Sequence, residues 1–169
     1  MGTHGRGFTL IELLVTLTIA AVLLGIGVPA LRHWIAHYQL TQAHSDLIAT
    51  LMLARSEAIK RSHPVLARNA DGSWHSGWIV FADTNRNGIR DADEPVLHRS
   101  AVKNGVRATG NTPVRQFVRY VPSGQTKTLG GAFQAGTITL CDESKQRVRL
   151  LVISATGRVR TAPGTAGVC

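Results

Sequence analysis

Acidic residues nearly vanish from the second half of this chain. After Glu94 only Asp142 and Glu143 remain, against eleven Lys and Arg. Up to residue 94 the two signs balance at eight each, so the whole net charge of +9 sits on residues 95–169. Such asymmetry points to a polyanion, a membrane surface or an acidic neighbouring subunit as partner. Cysteine is also scarce: Cys141 and Cys169 are the only two. That excludes a CxxC redox motif and leaves too few thiols for a Cys-rich metal site. Seven histidines are present, but no Ser/His/Asp or His/Glu set stands at a recognisable spacing. His33, His37 and His44 read as solvated or subunit-interface residues. These absences argue against an enzyme, and no cofactor is expected. Aromatic content is only 5%, whereas glycine numbers 17, which favours many turns. At 169 residues there is room for one domain and an anchor, and no internal repeat is visible.

What the chain does have is a long apolar run. Phe8–Val28 holds 21 residues and one charge, Glu12. At about 1.5 Å per residue, a helix of that length crosses a hydrocarbon core of roughly 30 Å. A carboxylate deep in such a run costs about 2.5–3.5 kcal/mol on insertion scales. A passive anchor gives no reason to carry it. A cleaved secretory signal would need a small-residue cut site, and Thr18-Ile19-Ala20-Ala21 fits poorly because the apolar run continues past it.

Helical periodicity continues beyond the run. Leu31, Trp34, Ile35, Tyr38, Leu47, Leu51, Ala54 and Ala58 recur at three- and four-residue steps. The pattern predicts one helix over 8–61, stopped by Ser62-His63-Pro64, kinked at Pro29, with its second half laid against a globular domain. After Pro64 the period changes. Strands are predicted at Val65–Arg68, Trp74–Ala82, Val96–Val102, Val114–Val121, Gly136–Cys141 and Arg147–Ser154, with glycine-rich turns between them. A long helix followed by antiparallel strands is α+β.

The polar leader ending in Gly7, followed by Phe8-Thr9-Leu10-Ile11-Glu12, resembles the processing signal of type IV prepilins and type II secretion pseudopilins. Later segments are similar to the FimT, FimU and H-type pseudopilin subgroup: Gly77–Asp83 with Asn85-Arg86-Asn87-Gly88, Cys141-Asp142, and Gly157-Arg158-Val159-Arg160. The resemblance implies a prepilin leader at 1–7, a transmembrane part of the helix at 8–29, an amphipathic part at 30–62 and an antiparallel β domain at 63–169. It implies cutting between Gly7 and Phe8 by prepilin peptidase, then N-methylation of Phe8. It also implies that Glu12 neutralises the Phe8 amine of a neighbouring pilin subunit, which offsets the cost of two lone charges in lipid. Arg6 ahead of the span keeps the leader cytoplasmic, so the subunit is expected in the inner membrane with its domain in the periplasm. In that oxidising compartment Cys141 and Cys169 are expected to pair, with two free thiols as the alternative.

In FimT-like minor pilins a Gly-Arg-x-Arg tail is associated with DNA binding during natural transformation. By resemblance, Gly157, Arg158 and Arg160 are then DNA-binding residues, with Lys145, Arg147 and Arg149 upstream as further contacts. Arginine suits this role because its guanidinium grips phosphate in bidentate fashion. The alternatives are a solvated basic turn, or an H-type pseudopilin of a type II secretion system whose partner is protein. Asp83–Glu94 matches EF-hand spacing, with oxygen ligands at positions 1, 3, 5, 9 and 12 and glycine at 6. It follows a predicted strand and has Arg90 where an apolar residue belongs. A polar hairpin loop, with no metal, is the expectation there.

Overall fold

The computed structural model describes residues 9–101 and 104–169, so Gly7 and Phe8 lie outside the described residues. The chain divides into two units, residues 1–35 and 36–169. Helix α1, Leu10–Arg61, contributes to both. Its start is capped: the Thr9 hydroxyl accepts a hydrogen bond from the Glu12 amide at 3.3 Å. Helical geometry runs without interruption through Pro29. At the far end, Ser62 takes a left-handed conformation (φ 56°) and its amide bonds back to the Ile59 carbonyl, so the helix stops where the sequence predicts.

In the first unit the helix is exposed throughout and mostly apolar, as a lipid-facing segment is. In the second, Leu40, Ala43, His44, Leu47, Thr50, Leu51, Ala54 and Ala58 form a buried stripe. The stripe starts later than the sequence pattern indicates. Leu31, Trp34, Ile35 and Tyr38 are all exposed, because the domain's core begins only at Leu40.

Two four-stranded antiparallel sheets complete the second unit. The first has the order β3-β2-β1-β5, built from β1 (Val65–Asn69), β2 (Trp78–Ala82), β3 (Val96–Ser100) and β5 (Phe117–Tyr120). The second has the order β4-β6-β7-β8, built from β4 (Val106–Gly110), β6 (Gly136–Asp142), β7 (Val148–Ile153) and β8 (Val159–Pro163). One face of each sheet joins the helix in a single core that includes Leu47, Leu51, Val80, Val118, Ile138 and Leu151.

Two predicted strands begin several residues later than expected. Trp74–Ser76 is a 3-10 turn that drops the Trp74 indole into the core, where its N–H donates to the Val114 carbonyl at 2.9 Å. Thr112–Val114 is a second such turn, so β5 begins only at Phe117. Two strands, β4 and β8, are absent from the sequence reading altogether. Each is five residues long; one ends in glycine and the other in proline, both weak strand formers.

Candidate nucleic-acid interface

The Gly-Arg-Val-Arg segment is a structured hairpin, which corrects its reading as a tail. The Ser154 amide donates to the Arg158 carbonyl at 3.0 Å, and the Gly157 amide donates to the Ser154 carbonyl at 2.8 Å. The Arg158 amide in turn donates to the Ser154 hydroxyl at 3.2 Å. Helix α1 holds this turn from outside, because Arg55 Nη2 donates to the Thr156 carbonyl at 3.2 Å. Gly157 is buried and has φ +79°; a Cβ there would run into the Gly124 carbonyl and the Tyr120 ring. The glycine therefore serves the turn and presents Arg158, rather than touching a ligand itself.

Arg158 and Arg160 are both exposed. Val159, between them, packs against the core. Arg160 lies opposite Val152, on the sheet face away from the helix. Strand β8 is the outermost of its sheet, so its second edge is unpaired among the described strands. Arginines on such a strand also discourage edge-to-edge aggregation, the plain structural role they would have without a ligand.

The upstream basic residues divide. Arg147 is exposed and Lys145 partly exposed, in the turn that joins β6 to β7. That turn is braced by the Asp142 carboxylate, which accepts the Arg147 amide at 3.2 Å, and by the Lys145 carbonyl, which accepts the Gly167 amide at 2.9 Å. Five strand positions separate Arg147 from the level of Arg160, or about 17 Å at roughly 3.4 Å per residue. Arg149 does not belong with them. It lies opposite Leu140, in line with the buried Leu151 and Ile153, and so faces the helix. There its charge acts on His44, whose imidazole is held below its ordinary pKa by burial and then by Arg149. Arg147 precedes the strand, since β7 starts only at Val148.

Arg107 was missed by the sequence reading because β4 was. It lies opposite Cys141, and the pairing of Cys141 with Val148 puts it on the same sheet face as Arg160. Arg107 is exposed, at the opposite edge of the sheet from Arg160. Three interstrand steps, about 14 Å, separate the two edges. Cys141 and Cys169 form a disulfide, with Cα atoms 6.4 Å apart and a sequence separation of 28. The bond pins the C-terminal segment over one end of this face and buries Cys141.

The Asp83–Glu94 segment is the loop of the β2–β3 hairpin. Three of its four carboxylates, all but Asp93, are engaged from within. Glu94 accepts the Thr84 amide at 2.7 Å, the Thr84 hydroxyl at 3.2 Å and the Asp91 amide at 3.2 Å. Asp91 accepts the side-chain amides of Asn85 and Asn87 at 2.6 and 2.9 Å. Buried Asp83 accepts the Gly88 amide at 3.3 Å and lies 3.7 Å from the buried Arg119. Desolvation raises the Asp83 pKa, against the opposing pull of the Gly88 amide. Among the described residues, no group of three or more His, Cys, Asp or Glu side chains is placed to hold a metal ion.

One long N-terminal helix, amphipathic in its second half and packed on antiparallel sheets, is the architecture of type IV pilin-like subunits. The comparisons agree. Residues 43–157 match the family described as type II transport protein GspH, and residues 3–28 match the prokaryotic N-terminal methylation motif. The chain is 33% identical over 165 residues to the pilin-like protein PilA1 of Thermus thermophilus, covering 92% of this chain and 97% of that one. Its fold is similar to the type IV minor pilin FimU of Pseudomonas aeruginosa, with a TM-score of 0.60 at 21% identity over 75% of this chain and 90% of that chain. It is also similar to the minor pseudopilin EpsH of the type II secretion system of Vibrio cholerae, with a TM-score of 0.52 at 15% identity over 73% and 94%. The protein belongs to the type IV minor pilin and pseudopilin family. It is accordingly a membrane-anchored structural subunit that assembles with other subunits of its kind.

Proposed function

We propose that this subunit is a minor pilin of a type IV pilus that binds double-stranded DNA without sequence preference, through the β7–β8 hairpin, for DNA uptake. The observation that carries this reading is the pair Arg158 and Arg160, both exposed, one in the turn and one on the edge strand that follows it, with the turn locked to the helix by Arg55. A locked turn loses little conformational freedom on binding, which favours affinity. Arginine–phosphate contacts supply affinity without reading bases, as uptake of any sequence requires. Arg107 extends the same sheet face, and Lys145 and Arg147 lie in the turn at its far end. On each DNA strand one phosphate falls every 3.4 Å of axis, so a span of about 17 Å matches about five base pairs.

Assembly follows the family pattern in this reading. Prepilin peptidase cuts between Gly7 and Phe8. The inner membrane holds the subunit with its domain in the periplasm, and Glu12 pairs with the Phe8 amine of a neighbour in the fibre. Glu12→Ala should insert normally and enter fibres poorly; normal incorporation would remove the pairing.

The test of the DNA reading is the double variant Arg158→Gln/Arg160→Gln, with affinity for a short duplex measured by fluorescence anisotropy. Loss of two charge-assisted contacts should weaken binding by about tenfold or more. Binding equal to the parent's would rule out the hairpin. A parent that binds no DNA at low salt would favour the second reading, an H-type pseudopilin. That alternative draws on the GspH match and on the fold shared with EpsH.

A further inference from the structure

A second basic feature lies on the other sheet and plays no part in the hairpin. Ile79 of β2 pairs with Arg68 of β1 on one side and with Arg99 of β3 on the other. The two arginines therefore stand in one cross-strand row, two interstrand steps or about 10 Å apart. The neighbouring Trp78 and Val80 are buried in the core, so Ile79 and the arginines occupy the face turned away from the helix. The β2–β3 loop brings Arg90 to the same place. Together the three line a cleft of about 540 Å³, with Ile79 and the backbone around Gly77 in its wall.

No counter-charge fills this cleft. Among the described residues, Arg68, Arg90 and Arg99 form no ion pair with a carboxylate. Two acids close in sequence are engaged elsewhere: Asp71 accepts from the Ser73 amide and the Ser76 hydroxyl, and Asp91 from Asn85 and Asn87; Asp93 is exposed and forms no ion pair with these arginines among the described residues. Arg68 is already fixed in position. It donates to the Gly88 carbonyl at 2.9 Å and lies over the Phe117 ring at 6.0 Å. The loop that brings Arg90 is braced by the internal hydrogen bonds of Glu94 and Asp91. Three guanidinium groups in one recess, one of them pre-oriented, match an oxyanion ligand that offers several acceptors at once. The recess exceeds the needs of a bare phosphate and falls within the range of small-molecule sites.

We propose that this cleft binds a phosphoryl group carried on a moiety of nucleotide size, with Arg90 and Arg99 as direct donors and Arg68 as the fixed one. The phosphoryl group comes either from a nucleic-acid strand or from a free phosphorylated compound. The site is separate from the β7–β8 hairpin and does not depend on the DNA reading.

The experiment uses the full-length protein in a nonionic detergent, with inorganic pyrophosphate as the probe and calorimetry as the readout. The parent should bind at low salt. Arg90→Gln/Arg99→Gln should weaken binding about tenfold or more, the loss expected for two charge-assisted contacts. Both side chains are exposed, so the melting temperature should be unchanged. The proposal is overturned if the parent does not bind pyrophosphate, or if Arg90→Gln/Arg99→Gln binds it as well as the parent. A single-stranded oligonucleotide that displaces pyrophosphate supports the site with a strand as its source. Failure to displace supports the site with a free phosphorylated compound as its source.

Discussion

Gly157 and His44 show how single residues set the geometry of the basic hairpin. Gly157 occupies the left-handed region and sits against the Gly124 carbonyl, so Gly157→Ala combines backbone strain with a clash. Left-handed strain alone costs about 1–2 kcal/mol. We expect a loss of about 1–3 kcal/mol in a denaturant titration, with weaker DNA binding because the turn no longer presents Arg158; a variant as stable as the parent would contradict the close approach. His44 is 5% exposed, and its Nε2 lies 3.2 Å from the Thr161 hydroxyl of β8. Burial and Arg149 lower its pKa below the ordinary 6.5. The folded protein thus resists the proton that the unfolded chain accepts. Stability should be fully present above pH about 6.5 and fall as the pH drops through the folded pKa. Melting curves at pH 7.5 and pH 5 should show a larger loss for the parent than for His44→Gln. Equal losses would show that His44 does not titrate as described. Asp83, whose pKa is raised, acts with the opposite sign and at lower pH: its contribution grows as pH falls towards 3.8.

Among the elements, the helix and most strands were legible in the sequence and two strands were not. Helix periodicity and the Ser62-His63-Pro64 stop located the end of α1 at Arg61. Short β-rich runs set between turn residues marked β1, β2 and β7. Strand β8 was hidden because Thr161 and Pro163 weaken its pattern and only Val159 reaches the core. With β8 and β4 missing, the sheet faces could not be assigned. That is why Arg149 was grouped with exposed arginines and Arg107 was passed over. Glu12 was legible because any charge stands out in an apolar run. The Thr9 cap beside it gives the same turn a local reason as well, since an acid in a first helical turn meets the positive end of the helix dipole. The β2–β3 loop is a different case, because its spacing matches a calcium loop while its hydrogen bonds close on themselves. Chelator should leave the melting temperature unchanged, as linkage gives no shift where no ion is bound. A calcium-dependent rise in melting temperature would show that Asp83, Asp91 and Glu94 rearrange to hold the ion.

For the whole molecule, the separation of functions follows the division of the chain. Residues 10–35 form an exposed, mostly apolar helix with one carboxylate, the membrane-anchoring part of the subunit. Residues from Ala36 onward carry the folded core and all but one unit of the net positive charge. The disulfide closes 28 residues around the β6–β8 region and stabilises by about 3–4 kcal/mol in the chain-entropy model. It therefore holds the basic hairpin and the C-terminal segment in one register. The most direct test of the account is the salt dependence of duplex DNA binding by the full-length protein in nonionic detergent. With about three or four phosphates neutralised, log K against log salt should fall with a slope of about −3 to −4. Arg158→Gln/Arg160→Gln should reduce that slope by about two, since each lost phosphate contact removes about 0.9. A parent slope near zero, or an unchanged slope in the double variant, would contradict a phosphate-binding hairpin.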